Sequence, residues 1–381
     1  MYANRLNANY ISNLSQQERS GGWSGMNAAI FDELQLAFNL NYCGPISPGP
    51  DYRAKVISKC SRVLGKPGSF HAYSARRLNR IKQTVEQHSK RSVDFDFFHG
   101  ITPWIMAPQY DRPYFAYTDA CFATYIEHYH DPKKFLSGDV QRICRAEAQW
   151  ISKAATVFFS SDYARRDAVS KYNLSGDERL VVVGLGSGMS PPSSDHFTGG
   201  LKFLFVALDF ERKGGKNCVQ AFQKVHRAFP RATLTVLGEK PPRWFFGIPG
   251  VEWGGFLRKS DPAELQCLQE HYKSSFALLL PTSSDMTPLV IAEAGSFGCP
   301  AIATNNFGIP EMVQHGETGL LIESPDADVL SQAMLRLCDE SRMTYTMMRR
   351  RARELCLRRF RWEQVVRNIV ETIEESFVTL S

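Results

Sequence analysis

Residues Ser283–Gly295, SSDMTPLVIAEAG, place Asp285 and Glu293 eight positions apart, with Thr287-Pro288 between them. Just upstream, FALLLP (Phe276–Pro281) is a short unbroken apolar run bounded by proline, which reads as a buried strand. Downstream, PLVIAEAGSFG reads as a helix. Thr287 is the expected N-cap and Pro288 the expected first helical residue, where a missing N–H costs nothing. A strand running into a helix start aims unpaired backbone N–H groups at the carboxyl end of a sheet, where α/β folds bind ligands. Those groups and the positive end of the helix dipole suit a phosphate, so Thr287, Pro288 and Leu289 form the expected mouth. Asp285 then lies just outside it, placed to accept from sugar hydroxyls. Glu293, deeper along the helix, is placed to accept both hydroxyls of a ribose diol, because a carboxylate is acceptor-only. From this stretch alone, a turn residue and a capped structural acid explain the two positions equally well.

The same strand-then-helix alternation runs along almost the whole chain and predicts α/β layers with mostly parallel sheets. Strand candidates in the first half are NYISNL, LNYCG, FDFFHG, YFAYT, TVFFSS and RLVVVG, separated by amphipathic segments near Gly25–Phe38, Tyr73–His88, Asp139–Ser152 and Ser161–Tyr172. SGMSPPSSDHFTGG then interrupts the pattern, since neither a helix nor a central strand accommodates it. Alternation resumes with LKFLFVAL, TLTVLG, VEWGGF, FALLLP, PAIAT and GLLIES, with helices expected around Lys216–Phe229, Asp261–Lys273, Pro288–Phe297 and Asp326–Asp339. Met343–Phe377 reads as helical and carries the basic cluster RRRARELCLRRFRW. The expected organisation is two Rossmann-like domains, residues 1–188 and 196–364, with helix 365–381 returning to the first.

A chain of 381 residues is about right for two domains, and 43% apolar with 22% charged residues describes a globular protein. No apolar run approaches the roughly 20 residues of a membrane span. The opening MYANRLNANYISNL lacks a basic region and an apolar core, so no secretion signal is expected. Nine cysteines occur without a CxxC pair, which points to reduced thiols in the cytoplasm and away from zinc. The net charge of +6 is uneven: Arg53 to Arg91 holds eleven Lys/Arg against one acid, Glu86. Such a stretch is either a solvated surface or a face for an anionic membrane. Nucleic acid is not expected, because no helix-turn-helix, RNP or zinc-finger pattern accompanies the charge. VVVGLGSGM, with Gly184, Gly186 and Gly188, mimics a dinucleotide fingerprint. Pro191-Pro192 follow at once, which leaves no place for a helix to open among the glycines, so an NAD site is not expected.

Asp285–Asp326, DMTPLVIAEAGSFGCPAIATNNFGIPEMVQHGETGLLIESPD, resembles the donor site of the family 4 glycosyltransferases, retaining enzymes of the GT-B fold. Their hallmark is a pair of glutamates separated by seven residues, followed by a P-V-x-x-T…G-x-x-E-x-V…G-x-x-G-L-L continuation. The departure is Asp285, where most members carry glutamate. KFLFVALDFERKGGKNCVQAF resembles the strand–loop–helix that holds the family's diphosphate cations. Lys213 falls on the lysine position with Arg212 beside it, while Leu208 occupies the place of an arginine. SGGWSGMNAAIF resembles the glycine-rich loop after the first strand, with Gly25 permitting close approach; a plain helix-start turn reads equally well. FFHGITPW and YFAYTDACF resemble the ends of the third and fourth strands, which puts His99, Thr118 and Asp119 toward the cleft, Thr118 standing where many members have histidine. RRFRWEQVVRNIVETI resembles the crossing of the last helix, with Trp362 as a packing anchor.

The resemblance implies two Rossmann-like domains facing each other across a cleft. It implies transfer of a sugar from a UDP-, GDP- or ADP-linked donor to a hydroxyl acceptor, with retention. Lys213, Arg212, Asp285, Asp119 and His99 are the candidate catalytic residues, and Gly25, Thr287, Pro288, Leu289 and Glu293 the donor-binding ones. No metal and no cofactor beyond the donor is expected. The setting it implies is bacterial cell-surface polysaccharide, lipopolysaccharide or glycolipid synthesis, cytoplasmic or peripheral at the inner face of the membrane, with a lipid-linked acceptor as one option. A non-hydrolysing sugar-nucleotide epimerase and a catalytically idle GT-B binding protein are the alternatives.

Overall fold

The structure, a computed structural model, describes residues 5–19, 22–107, 111–174 and 178–380. It divides into two compact units, Met1–Arg19, Trp23–Gly184 and Val365–Ser381 forming the first and Ser20–Gly22 with Leu185–Gln364 the second. The division falls after Gly184, so the proline- and serine-rich connection packs with the second unit.

In the first unit the strands are β1 (Asn7–Ile11), β2 (Asn39–Cys43), β3 (Phe95–His99), β4 (Tyr114–Thr118), β5 (Thr156–Phe159) and β6 (Leu180–Val182). They form one parallel sheet ordered β2-β1-β3-β4-β5-β6. Its helices are α1 (Gly22–Ala37), α2 (Tyr52–Val63), α3 (Ala75–His88), α4 (Phe122–Tyr129), α5 (Ser137–Lys153) and α6 (Asp162–Tyr172). A parallel sheet is covered on both faces, so its central strands carry unbroken apolar sequence. FDFFH in β3 and YFAYT in β4 are buried throughout.

The second unit contains β7 (Lys202–Ala207), α7 (Gly215–Ala228), β8 (Thr233–Gly238), β9 (Val251–Gly255), α8 (Pro262–Ser274), β10 (Ala277–Leu280), α9 (Leu289–Ser296), β11 (Ala301–Thr304), α10 (Ile309–Met312), β12 (Gly319–Ile322), α11 (Ala327–Cys338) and α12 (Arg342–Arg359). Its parallel sheet is ordered β12-β11-β10-β7-β8-β9. The order reverses between β7 and β10, and in open α/β sheets the crevice at such a reversal binds ligands.

Three local readings change. The helical stretch expected over 343–377 is two helices, α12 and α13 (Trp362–Leu380). The chain breaks at Phe360 because the connection reaches it there: Ser187 N donates to Phe360 O at 2.8 Å. Trp362 is buried against Gly186, where a Cβ would stand 2.4 Å from the indole, so this glycine serves packing. Beyond it, α13 from Val365 packs with the first unit, where the Phe377 ring lies 6.0 Å from Phe95. Two helices, α2 and α4, were not expected; α4 buries Phe122 and Ile126 in the core, whereas in α2 the inward positions are Ala54, Ser58 and Ser61.

Asp195 in the connection is clamped by Arg349 of α12 through two bonds of 2.7 Å. The guanidinium is 2% exposed, lies 4.2 Å over the Phe197 ring and also donates to Ser275 O and Phe297 O. Removing one partner of a buried, fully bonded pair strands the other. Arg349→Met should therefore destabilise the second unit by about 2–3 kcal/mol, read as a lower urea midpoint, whereas Arg350→Met on the exposed face of the same helix should leave it unchanged.

Candidate functional site

At the reversal point the β7–α7 connection presses against the β10–α9 connection. Gly214 makes this contact possible: its φ is 83°, and a Cβ there would lie 2.1 Å from Pro281 O. Gly215 packs under the Phe210 ring, which a Cβ would approach to 2.4 Å. The paired glycines of ERKGGK thus answer to packing, and the packing delivers the preceding lysine. Lys213 Nζ forms an ion pair with Asp285 Oδ2, and Asp285 is only 9% exposed. Arg212 is held by Asp209, Nε to Oδ2 at 3.0 Å, and donates from Nη1 to Ser284 O at 2.6 Å. Its guanidinium therefore ties the two connections together.

The mouth of α9 differs in detail from the expected one. Pro288 is the N-cap residue and the helix begins at Leu289, one residue later than expected. Pro288 has no N–H, so among the three expected mouth residues only Thr287 and Leu289 carry amide donors. The Ile291 amide is spent on Pro288 O at 3.0 Å.

Glu293, one turn further, is 3% exposed and has both oxygens engaged. Oε2 accepts from Tyr272 Oη at 3.0 Å, and Oε1 pairs with Lys259 Nζ. Burial, then the Glu293 charge, push the Tyr272 phenol well above its ordinary pKa, so it remains a donor. Lys259 and Tyr272 carry no motif and escaped sequence reasoning. The only pointer was position, since Lys259 sits in the β9–α8 connection, at the same end of the sheet. In this unit Arg212, Lys213 and Lys259 each meet an acid: Asp209, Asp285 and Glu293.

The remaining candidates lie in the first unit, around its own reversal point between β1 and β3. Gly25 is not in a loop but within α1, and a Cβ there would meet only Arg19 O at an ordinary 3.6 Å. The fold itself does not require glycine at 25. Ser20 and Gly21, which open the same stretch, lie outside the described residues. His99, at the end of β3, is fully buried beneath Trp23, ring centroids 4.2 Å apart. Neither imidazole nitrogen has a hydrogen-bond partner, and burial pushes its pKa down to about 3. It is uncharged at neutral pH. Thr118 donates its hydroxyl to Ala120 O at 2.8 Å, inside its own turn. Asp119 is half-buried next to it, and its charge raises the Tyr117 phenol further after burial.

Two Asp-x-Asp strings, Asp94–Asp96 and Asp326–Asp328, could suggest a metal but have structural partners. Asp96 is held by Arg112 at 2.8 Å and Asn9 at 2.8 Å, and Asp326 caps α11 by accepting from Asp328 N at 2.7 Å. Among the described residues no group of three or more His, Cys, Asp or Glu is arranged to hold a metal ion.

Residues 200–340 match the family described as Glycosyl transferases group 1. N-acetyl-alpha-D-glucosaminyl L-malate synthase of Bacillus anthracis is 39% identical over 113 residues, 29% of this chain and 28% of that protein. D-inositol 3-phosphate glycosyltransferase of Corynebacterium efficiens is 24% identical over 283 residues, 67% of this chain and 66% of that one. The chain thus spans between 28% and 66% of these two curated relatives. Sucrose-phosphate synthase of Thermosynechococcus elongatus shares the fold over 98% of this chain and 100% of its own, with a TM-score of 0.71 and 16% identity. HepE of Anabaena in complex with UDP-glucose does so over 97% and 100%, with a TM-score of 0.64 and 14% identity. The fold is GT-B.

Buried His99 gives a pH signature. Its folded pKa of about 3 lies below the ordinary 6.5, so under pH 6.5 the unfolded chain takes up a proton that the folded chain refuses. Its contribution is complete above pH 6.5 and lost as pH falls toward 3, at up to about 1.4 kcal/mol per pH unit. Urea unfolding of His99→Leu should show a shallower loss of stability between pH 6 and 4 than the unchanged chain.

Proposed function

From residues 200–340, which belong to the group 1 glycosyl transferases, we propose that this chain is a glycosyltransferase that moves a sugar from a nucleoside diphosphate to a hydroxyl acceptor. The observation that carries this reading is the contact of Lys213 with Asp285 at the sheet reversal, beside the start of α9. A leaving diphosphate gains charge as the sugar departs, and a cation with amide donors is what stabilises it. In the proposed bound state Lys213 serves the phosphate and Asp285 turns to the sugar hydroxyls. Thr287 and Leu289 supply amides, and Arg212 holds the two connections in register while adding positive potential.

The donor is UDP-, GDP- or ADP-linked; the UDP and UDP-glucose complexes of HepE, which shares the fold, support the first. Transfer proceeds with retention: the departing phosphate takes the acceptor's proton on the face it leaves, with no covalent enzyme intermediate, no metal and no further cofactor. The acceptor belongs to bacterial surface polysaccharide, lipopolysaccharide or glycolipid synthesis.

Calorimetry with UDP, GDP and ADP tests the donor site: at least one should bind at millimolar concentration, and failure of all three removes the assignment. Lys213→Ala should lower the transfer rate about a hundredfold, the usual worth of one such contact, a larger loss than the drop in stability from leaving Asp285 without its partner.

A peripheral position at the inner membrane face draws support from α2. Tyr52, Val56, Ile57, Val63 and Leu64 are all more than half exposed, while its inward face is small and polar, Ser58 donating to Ser69 O at 3.2 Å. Lys55, Lys59 and Arg62 flank the apolar arc, and Lys66 follows it. An apolar arc rimmed by lysine and arginine suits an anionic bilayer surface, each basic residue adding about 1 kcal/mol. No helix among the described residues is long and apolar enough to cross a membrane. Vesicle sedimentation should recover more protein with anionic than with neutral lipid, and Ile57→Asp with Val63→Asp should abolish the difference. Equal recovery on both lipids counts against this placement.

A further inference from the structure

Glu293 is the acid expected to receive a ribose diol, yet each of its oxygens already has a partner within the protein. Tyr272 holds Oε2 and Lys259 holds Oε1. The two partners are not equivalent. Tyr272 is fully buried and packed in the core, so it stays. Lys259 lies on the connection between β9 and α8, and its side chain is 23% exposed, so it can leave. Glu293 itself is only 3% exposed, so a diol gains access to its carboxylate when this lysine moves aside.

We propose that Lys259 is a donor-binding cation stored on Glu293: when a ribose diol takes the carboxylate, the ammonium transfers to the diphosphate. This rests on the donor-site reading above. Helical side chains lean toward the helix N-terminus, so the Glu293 carboxylate overlies the first turn of α9, and the ammonium bonded to it is held beside the start of the helix. The electrostatics ask for such a cation. Leu208, 58% exposed at the end of β7, brings no charge where the resemblance implies arginine. Arg212 already serves Asp209 and Ser284 O, and Lys213 serves Asp285. Even with Lys213 turned to the phosphate, a diphosphate carries more than one negative charge and calls for a second cation that can be released to it. Exchange provides one without stranding a buried ion: two hydroxyls replace the ammonium on Glu293, and phosphate replaces Glu293 on the ammonium. Diol recognition and phosphate binding are thereby coupled through one side chain.

The test compares three ligands on the whole chain and on Lys259→Met and Lys259→Arg. Binding of the nucleoside diphosphate (whichever of UDP, GDP and ADP the unchanged chain accepts), of its nucleoside, and of inorganic pyrophosphate is measured by NMR titration. The deciding quantity is the ratio of diphosphate to nucleoside affinity, since effects on the fold or on access to Glu293 cancel in it. Lys259→Met should lower this ratio about tenfold or more, the worth of one charge-assisted contact. Lys259→Arg should keep it within about threefold. Pyrophosphate, which has no diol to release the lysine, should bind the Met variant and the unchanged chain within about threefold of each other. An unchanged ratio in the Met variant overturns the proposal, whether both affinities rise because the lysine merely blocks Glu293 or fall together because it merely supports the loop. Pyrophosphate losing as much as the nucleoside diphosphate overturns the exchange. If the unchanged chain binds none of the three nucleoside diphosphates, the donor-site reading falls first and takes this one with it.

Discussion

The contact between the β7–α7 and β10–α9 connections is the constraint on which the donor-side chemistry depends. Two strands that are far apart in sequence lie side by side at the one place where the sheet changes direction, and Gly214 lets their connections touch at Pro281 O. Only then can Lys213 reach Asp285 and Arg212 reach Ser284 O. An ion pair this shielded from water is costly to leave half-made, so it fixes both loops. The same pairing makes the site electrically self-sufficient, and a charged ligand has to exchange partners with it instead of simply adding to it.

The two units solve the same topological position with opposite chemistry. At the reversal of the second sheet stand three cations, each on its acid. At the reversal of the first stands an aromatic seal: Trp23 covers His99, and the Tyr117 ring stacks behind at 6.5 Å. An imidazole so enclosed is a neutral, slightly polar wall, and with a pKa near 3 it does not move protons in neutral solution. Thr118 stands at the end of the next strand with its hydroxyl committed to its own turn.

Much of this was legible in the chain. All twelve strands were legible as short β-type runs, the central ones unbroken because a parallel sheet buries both of their faces, the edge strands β2 and β9 more mixed. Lys213, Asp285 and Glu293 were legible because a long motif fixes them relative to two strand ends. What escaped did so for physical reasons. The α2 helix points its apolar residues outward, which inverts the usual signal. The break at Phe360 is imposed by Ser187, far away in sequence. The α9 start is displaced by one residue, a difference that propensity cannot resolve. Lys259 and Tyr272 come to Glu293 through tertiary packing alone, from a loop and a helix that no spacing rule links to it.

The strand order has a consequence for how the chain is made. β7 is the first strand of its sheet to be synthesised and becomes its centre. One of its edges is covered early by β8, whereas the other waits for β10, after β8, β9 and α8 have all emerged. Until Leu280 is available, that second edge presents unpaired N–H and C=O groups, the kind of surface on which nascent chains stick together. A polypeptide ending anywhere before Ala277 would therefore be no smaller version of the second unit but an open-edged and aggregation-prone fragment.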